Sequence, residues 1–368
     1  MTPEFLQIFR GKRVLVTGHT GFKGSWLTLW LERLGAEVAG FSLAPPTDPA
    51  MFDLCGVANG IDHHIGDIRD LADLNDFVHR FRPEVVFHLA AQPIVRQSYD
   101  DPLATVTTNI VGTANVLESV RALDAPCAIV VVTSDKCYEN REWIWGYRED
   151  DPMGGHDPYS MSKGATELVV ASWRRSYFGP DSPVKLASAR AGNVIGGGDW
   201  AKDRIVPDCV RAFSAGQQVA LRHPGATRPW QHVLEPLGGY LLLGAQLIST
   251  DGDAYCSGWN FGPAAADVQP VGKIVRLIAQ QWGDGASSSM TKGPHPKEAA
   301  LLSLNCDKAI GLLHWKPCWH LETLVEQTVD WYKTWLANPA DLRDKTLAQI
   351  DAFERVMVER KIGVSLAD

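Results

Sequence analysis

The chain has 368 residues, of which 45% are hydrophobic and 21% charged, and its formal net charge is −8. A chain of this size and composition can bury a large core, which excludes a disulfide-stapled miniprotein and a disordered chain. The acidic balance, without a clustered Lys/Arg block, leads us to expect no nucleic-acid partner. The length fits two domains, or one large domain with an added lobe.

The cysteines and the length of the apolar stretches indicate where in the cell the protein is located. Seven cysteines, an odd number with no CxxC pair, predict reduced thiols and a cytoplasmic protein. The N-terminal segment carries Glu4 and lacks a long apolar run, so it is not typical of a signal peptide. The most apolar later stretch, 237–248, is well short of the roughly 20 residues that span a bilayer. We therefore expect no membrane association.

Strand and helix patterns alternate through the first half of the chain. β-branched runs predict strands and apolar periodicity predicts helices, in the order strand 13–17, helix 25–34, strand 37–41, helix 73–81, strand 84–89, helix 102–123, strand 128–133, helix 157–177 and strand 184–190. Strands joined by helical crossovers predict an α/β fold with a Rossmann-like, doubly wound parallel sheet.

The glycine and proline content and the length of the predicted elements change near residue 190. The stretch 192–199 is glycine-rich and predicts a loop, and short elements with many prolines follow it. We expect a nucleotide-binding domain over 1–190, with a later return segment around 229–262. The remainder of 191–368 is expected to form a smaller substrate-binding lobe over the carboxyl edge of the sheet.

A glycine-rich motif, TGHTGFKG at 17–24, joins the first predicted strand to the first helix. Gly18, Gly21 and Gly24 leave room for the backbone to approach a pyrophosphate, which the free N–H groups of the helix would then hold. The alternative is a tight turn that only packs helix on strand. Lys23 would either add positive charge beside the pyrophosphate or be solvated.

The second strand lacks a feature that dinucleotide sites usually have. An NAD site normally places an acidic residue at this strand's end, whereas Ser42 and Leu43 stand here, with no arginine to meet a 2′-phosphate. We therefore expect NAD rather than NADP, weakly retained. Asp67, after a third short strand, is predicted either to contact the adenine end or to cap a turn.

A third motif places a tyrosine and a lysine four residues apart, at Tyr159 and Lys163, on one face of a predicted helix. An ammonium close to a phenol lowers the pKa of that phenol, which favours its use as a base. Ser134, at the end of the 128–133 strand, can complete a hydrogen-bonded triad with a substrate alcohol.

These motifs together with HLAA at 88–91 resemble the extended short-chain dehydrogenase/reductases that act on nucleotide sugars, over nearly the whole chain. SDKCY at 134–138 resembles the signature of the sugar-nucleotide 4,6-dehydratases, and RPWQHVLEP at 228–236 is most similar to the branch that acts on CDP-sugars. The resemblance implies NAD as the cofactor, a CDP-sugar as substrate, a 4-keto-6-deoxy sugar for cell-surface polysaccharides as product, and a homodimer or a dimer of dimers. The long helices over 102–123 and 157–177 would form the dimer face.

The resemblance also implies a role for each site residue. Tyr159 takes the proton of the sugar 4-hydroxyl, Lys163 assists it, and Ser134 aligns the oxygen. Lys136, if neutral, removes the C5 proton, and Asp135, if protonated, delivers a proton to the departing 6-hydroxyl. The implied cofactor-binding residues are Gly18, His19, Gly21, Phe22, Lys23, Gly24, Asp67, Ile68, Leu89, Ala90, Ala91, Tyr159 and Lys163. The implied substrate ligands are Asn193 and Arg228. Arg204 is a weaker candidate ligand for the same diphosphate, and the alternative is a charge at the start of a helix.

Other readings stay open at this level. A 4-epimerase, a dehydratase for another nucleotide, and a catalytically idle NAD-sensing protein on the same fold remain alternatives. His314, Cys318 and His320 superficially suggest a metal site, but no fourth ligand follows at regular spacing, so we expect no metal.

Overall fold

The computed structural model describes residues 2–290 and 301–364. Its centre is a seven-stranded sheet in the order β11-β6-β5-β4-β1-β2-β3, in which every neighbouring pair is parallel. These strands are β1 (Arg13–Thr17), β2 (Glu37–Ser42), β3 (Asp62–Ile65), β4 (Val85–His88), β5 (Cys127–Val132), β6 (Val184–Ala191) and β11 (Gly258–Phe261). The predicted doubly wound parallel sheet is confirmed.

Short strands outside this sheet form three two-stranded pairs. They are β7 (Val194–Ile195) with β10 (Gln231–His232), β9 (Thr227–Pro229) with β12 (Val268–Pro270), and β8 (Val219–Leu221) with β13 (Ser288–Met290). The stretch 192–199, predicted to be a loop throughout, thus contains the two-residue strand β7. This strand forms because its backbone pairs with a distant segment that local sequence does not reveal.

Thirteen α-helices lie in the described residues. They are α1 (Phe22–Arg33), α2 (Met51–Leu54), α3 (Leu71–Phe81), α4 (Val95–Asp100), α5 (Pro102–Val106), α6 (Gly112–Arg121), α7 (Pro158–Ser176), α8 (Ile205–Ser214), α9 (Leu234–Ile248), α10 (Val271–Trp282), α11 (Asp307–Leu313), α12 (Leu321–Ala337) and α13 (Leu342–Glu359). A π-helical stretch, Thr107–Val111, joins α5 to α6, so the long predicted helix over 102–123 is continuous but locally widened. In the described part of the chain, no helix is both long and apolar enough to cross a membrane.

Local sequence explains where the helices begin. Asp157 caps α7 by accepting a hydrogen bond from the Ser160 N–H, and Pro158 occupies the first helical turn, where its missing N–H costs nothing. Asp70 caps α3 in the same way. α1 begins at Phe22, three residues before the predicted start, because the chain enters helical conformation directly after Gly21.

Two apolar cores cover the two faces of the sheet. One contains Leu15, Val86 and Ile129 from the strands, packed with side chains of α3, α6 and α7. The other is larger and includes α1, α9 and the C-terminal helices. Helix α13 packs directly on α1, where the Trp30 indole N–H donates to the Glu354 carboxylate at 2.8 Å. This face therefore packs α13 against the first βα unit.

Candidate active site

The backbone of the loop between β1 and α1 lies close to the segment that follows β4, the strand beside β1 in the sheet. Gly18 has φ +77°, and a Cβ there would lie 2.6 Å from the Ala90 backbone nitrogen. A Cβ at Gly24 would lie 2.0 Å from the Gly18 carbonyl oxygen. Only glycine satisfies these two positions, whereas Gly21, the residue before α1, faces more open space. The loop therefore leaves the N-terminus of α1 accessible to an anion, as a dinucleotide diphosphate requires.

The neighbouring carboxyl end of β4 is tied to this loop by buried hydrogen bonds. The Thr17 hydroxyl lies 2.6 Å from His88 Nδ1, and His88 Nε2 lies 3.0 Å from the Thr113 hydroxyl. The Leu89 N–H donates to the Thr17 carbonyl oxygen and the Ala90 N–H to the Thr17 hydroxyl. The segment 88–91 thus lines the same cleft as the glycine loop, and together they fit a bound dinucleotide.

The far end of the cleft carries hydroxyl groups in place of an acid. The Thr20 hydroxyl lies 2.8 Å from the Ser42 hydroxyl at the end of β2 and donates to the Leu43 carbonyl oxygen. Asp67, just after β3, accepts a hydrogen bond from the Arg69 backbone N–H and pairs with its guanidinium, which lowers the pKa of this carboxylate. Its turn-capping role is therefore present in the structure. Ile68 beside it is buried.

His19 fills the space between the glycine loop and the outer strands. Its Nε2 lies 2.7 Å from His63 Nδ1, and a Cβ at Gly40 would overlap its ring at 2.4 Å. Burial, with the neighbouring His63 ring, lowers the pKa of His19 to about 3, so it is neutral at physiological pH. The imidazole therefore acts here as a packed, uncharged group. Phe22, partly exposed, begins α1 beside it.

Tyr159 and Lys163 lie on the first turns of α7, against the end of β5. Both are more than nine-tenths buried, and Lys163 Nζ donates to the Val132 carbonyl oxygen at 3.4 Å. Burial raises the pKa of Tyr159 to about 12, opposed by the Ser134 hydroxyl beside it. Burial also lowers the pKa of Lys163 to about 8. The sequence led us to expect a lowered tyrosine pKa, but enclosure of the phenol outweighs the charges around it.

A three-residue 3-10 turn, Asp135–Cys137, follows β5 and faces the same cleft. The Ser134 hydroxyl caps it by accepting the Lys136 N–H at 3.2 Å, and donates to Asp135 Oδ1 at 3.0 Å. Asp135 Oδ2 is buried without a hydrogen-bond partner. Burial raises the pKa of Asp135, although Lys136 and other nearby cations oppose the shift. A raised pKa makes a carboxyl group better suited to donate a proton, while Lys136 remains partly exposed.

Lys23 occupies a place that the sequence did not reveal. Burial lowers the pKa of Lys23 to about 7, with further lowering by the charges of Arg204 and Lys163 and an opposing attraction from Asp135. Its ammonium therefore belongs to the catalytic cluster as well as to the glycine loop. The signal in the sequence was a lysine in the first turn of a helix, where the helix dipole disfavours positive charge.

The three predicted substrate ligands come from segments beyond residue 190. Arg204 precedes α8, donates to Asp199 Oδ2 at 2.9 Å, and its charge acts on Tyr159. Arg228, on β9, attracts the carboxylate of Asp135. Asn193 follows Gly192, where a Cβ would lie 2.9 Å from Asp135 Oδ2. The structure brings both arginines and this loop to the Asp135–Tyr159 cleft.

Among the described residues, no group of three or more His, Cys, Asp or Glu side chains is arranged to hold a metal ion. His320 is instead hydrogen-bonded to Asp267 at 3.2 Å, and the Cys318 N–H donates to the buried Glu235 carboxylate. The HWKPCWH run is thus used for packing and backbone anchoring.

A parallel sheet whose carboxyl edge carries a glycine loop and a buried Tyr–Lys pair has the arrangement that the sequence led us to expect. A family model described as GDP-mannose 4,6 dehydratase matches residues 15–328, and the chain belongs to this family. A curated CDP-glucose 4,6-dehydratase of Salmonella typhimurium is 52% identical over 332 residues, covering 89% of this chain and 92% of that protein. A dTDP-glucose 4,6-dehydratase of Xanthomonas campestris is 26% identical, covering 89% and 95%.

Solved structures share the fold at lower identity. An epimerase of Methanothermobacter thermautotrophicus superposes with a TM-score of 0.77 at 23% identity, covering 91% of this chain and 96% of that chain. A dTDP-glucose 4,6-dehydratase of Bacillus anthracis, in complex with NAD, gives a TM-score of 0.71 at 20% identity, covering 88% and 97%. These likenesses extend across both the sheet and the elements that follow it.

Proposed function

We propose that the protein is a lyase that converts CDP-glucose to CDP-4-keto-6-deoxyglucose and water, with NAD as a recycled cofactor. The observation that carries the proposal is the turn with Asp135 and Lys136, set in one cleft with Tyr159 and Lys163. A 4-epimerase needs only the second pair, whereas an elimination needs the first pair as well. The 52% identity to a curated CDP-glucose 4,6-dehydratase supports both the reaction and the nucleotide.

The residues of α7 and the end of β5 serve the first half of the reaction. NAD, held by the glycine loop and Lys163, would supply the acceptor for the C4 hydride and the donor of the same hydride to C6. Tyr159 takes the proton of the 4-hydroxyl, and the positive charge of the oxidised cofactor would lower the raised pKa of this phenol for that role. Ser134 holds the 4-oxygen in line with the phenol. Because burial lowers the pKa of Lys163 to about 8, this lysine can both donate hydrogen bonds and exchange a proton near neutral pH.

The residues of the catalytic turn serve the elimination. A 4-ketone acidifies the C5 proton, which Lys136 removes from one side of the sugar. Asp135 delivers a proton to the departing 6-hydroxyl, a role that fits its raised pKa and its unpartnered Oδ2. Two adjacent groups thus have opposite proton-transfer roles.

The substrate diphosphate would be held by arginines of the second lobe. Arg228 and Arg204 both lie close enough to the catalytic groups to influence the pKa of Asp135 or Tyr159. A guanidinium suits a diphosphate because it binds two oxygens at once. Asn193 is proposed to contact the sugar from the loop after β6. We also propose the domain division near residue 190, because all three proposed substrate ligands lie beyond it.

We also propose that the protein forms a homodimer through α5, α6 and α7. Large apolar side chains on these helices, and on the π-helical stretch between α5 and α6, are exposed: Leu103 is 75% accessible, Leu168 62% and Val111 46%. A second copy would bury them in a helical bundle, and Leu168→Glu should convert the dimer to a monomer in light scattering.

All seven cysteines are free thiols, which supports a reducing, cytoplasmic location.

The decisive experiment incubates the purified protein with NAD and, in parallel, CDP-, dTDP-, UDP- and GDP-glucose. We expect a 4-keto product that lacks the 6-oxygen from CDP-glucose only. A 4-epimer without loss of water would indicate an epimerase, turnover of another nucleotide would correct the base, and NAD binding without turnover would indicate a sensing protein.

The cofactor preference is tested with protein stripped of nucleotide. NAD should restore activity better than NADP, because the hydroxyls of Thr20 and Ser42 at the end of β2 offer no positive charge to a 2′-phosphate. Equal or better rescue by NADP would contradict this expectation.

A further inference from the structure

A buried ion pair lies directly behind the catalytic turn. Glu167 on α7 and Arg190 on β6 are each more than nine-tenths buried, and their carboxylate and guanidinium groups are 2.8 Å apart. The cost of removing both charges from water offsets much of their attraction, so stability alone does not account for a buried ion pair. Its hydrogen bonds therefore indicate what it does.

The glutamate holds Thr133, the second residue before the turn. Glu167 Oε1 accepts a hydrogen bond from the Thr133 hydroxyl, and Oε2 accepts one from the Ser188 hydroxyl at 2.7 Å. Thr133 immediately precedes Ser134, which caps the turn. Glu167 therefore fixes the end of β5 against α7, one helical turn beyond Lys163.

The arginine holds the residue that follows the turn. Arg190 Nη1 donates to the Tyr138 hydroxyl at 2.6 Å, and this hydroxyl donates in turn to Asn260 Oδ1 on β11 at 2.7 Å. The guanidinium also lies over the Tyr138 ring, 5.1 Å from its centroid. Tyr138 directly follows Cys137, the last residue of the turn, and is itself 1% exposed.

We infer that the Glu167–Arg190 ion pair is the positioning device for the elimination step, because its two members hold the residues on either side of the Asp135–Cys137 turn. The inference rests on the proposed function, in which this turn supplies the acid and the base. Close packing leaves the turn little freedom once both flanks are held, since a Cβ at Gly164 of α7 would lie 3.0 Å from the Cys137 carbonyl oxygen. Catalytic groups displaced by a fraction of an ångström lose rate steeply.

The test cuts one flank without touching a catalytic group. Tyr138→Phe removes only the hydroxyl that joins Arg190 to the turn. Tyr147→Phe is the matched control, because the Tyr147 ring stacks on Tyr138 and the substitution also removes one phenol hydroxyl. The partners of that hydroxyl are the Arg141 N–H and Asn140 Oδ1, and not Arg190. Single turnovers with CDP-glucose in deuterium oxide give two rates: C4 oxidation from the reduced-nicotinamide absorbance, and C5 exchange from deuterium incorporation.

We expect Tyr138→Phe to lower the ratio of C5 exchange to C4 oxidation by about tenfold, and Tyr147→Phe to change it by less than about twofold. A purely structural role would reduce the folded fraction, and so both rates, by one factor. An unchanged ratio in Tyr138→Phe, or an equal fall in the control, overturns the inference. If Tyr138→Phe does not fold, Arg190→Lys, which keeps the charge but not both donor positions, must lower the same ratio. A wild-type protein that makes no keto sugar overturns the proposed function and, with it, this inference.

Discussion

Replacement of Lys23 by methionine should stabilise the protein. The side chain of Lys23 is partly exposed, but the protein around it and the charges of Arg204 and Lys163 lower its pKa from 10.5 to about 7. At about 1.4 kcal/mol per pH unit, this fall corresponds to an upper limit of about 5 kcal/mol in the free energy of unfolding. Local relaxation and water penetration reduce such penalties, so we expect a gain of about 2 kcal/mol for Lys23→Met. Methionine is an unbranched side chain of similar size that lacks the ammonium group.

The gain should depend on pH in a defined direction. Between about pH 7 and pH 10.5 the unfolded chain binds more protons at Lys23 than the folded protein does, so wild-type stability rises with pH across this window. Below about pH 7 the penalty is complete, and the advantage of Lys23→Met is largest. The advantage should then decline as the pH rises toward 10.5 and disappear above it.

Chemical denaturation without added nucleotide, followed from about pH 6.5 to about pH 10.5 in about half-unit steps, measures this advantage. Lys202→Met is the control, because Lys202 is exposed and its removal should change stability by less than about 0.5 kcal/mol at every pH. A Lys23→Met protein that is less stable than wild type, or a gain that does not decline with pH, would refute the placement of this ammonium in the cluster.

Three further substitutions test the site. Arg228→Ala should weaken CDP-glucose binding by about ten- to hundredfold in calorimetry and leave NAD binding unchanged; an unaltered dissociation constant would mean that another residue holds the diphosphate. Lys136→Ala should still oxidise C4 but fail to incorporate deuterium at C5, and wild-type incorporation would exclude this lysine as the base. Gly24→Ala should lower the free energy of unfolding by about 1–3 kcal/mol, because its Cβ would lie 2.0 Å from the Gly18 carbonyl oxygen. Gly225→Ala, which meets no atom within 4 Å, should be near neutral in the same denaturation assay.

Local pattern was enough to predict the sheet. A short β-branched run such as β5 favours a buried strand, and an amphipathic stretch such as α3 has the helical period. Their alternation leaves a doubly wound parallel sheet as the simplest topology. The glycine loop and the Tyr159–Lys163 pair were also visible, because each depends on residues a few positions apart. Their chemical roles remain predictions until the variants are measured.

Tertiary structure decided which distant groups meet. The sequence shows neither that Lys23 shares a cluster with Asp135 and Lys163, nor that Glu167 pairs with Arg190, since these contacts join separate strands and helices. It likewise does not show that α13 returns to pack on α1. The pKa of Tyr159 illustrates the physical reason: the motif predicts its charged neighbour, but the shift depends mainly on burial, and burial is a property of the whole fold.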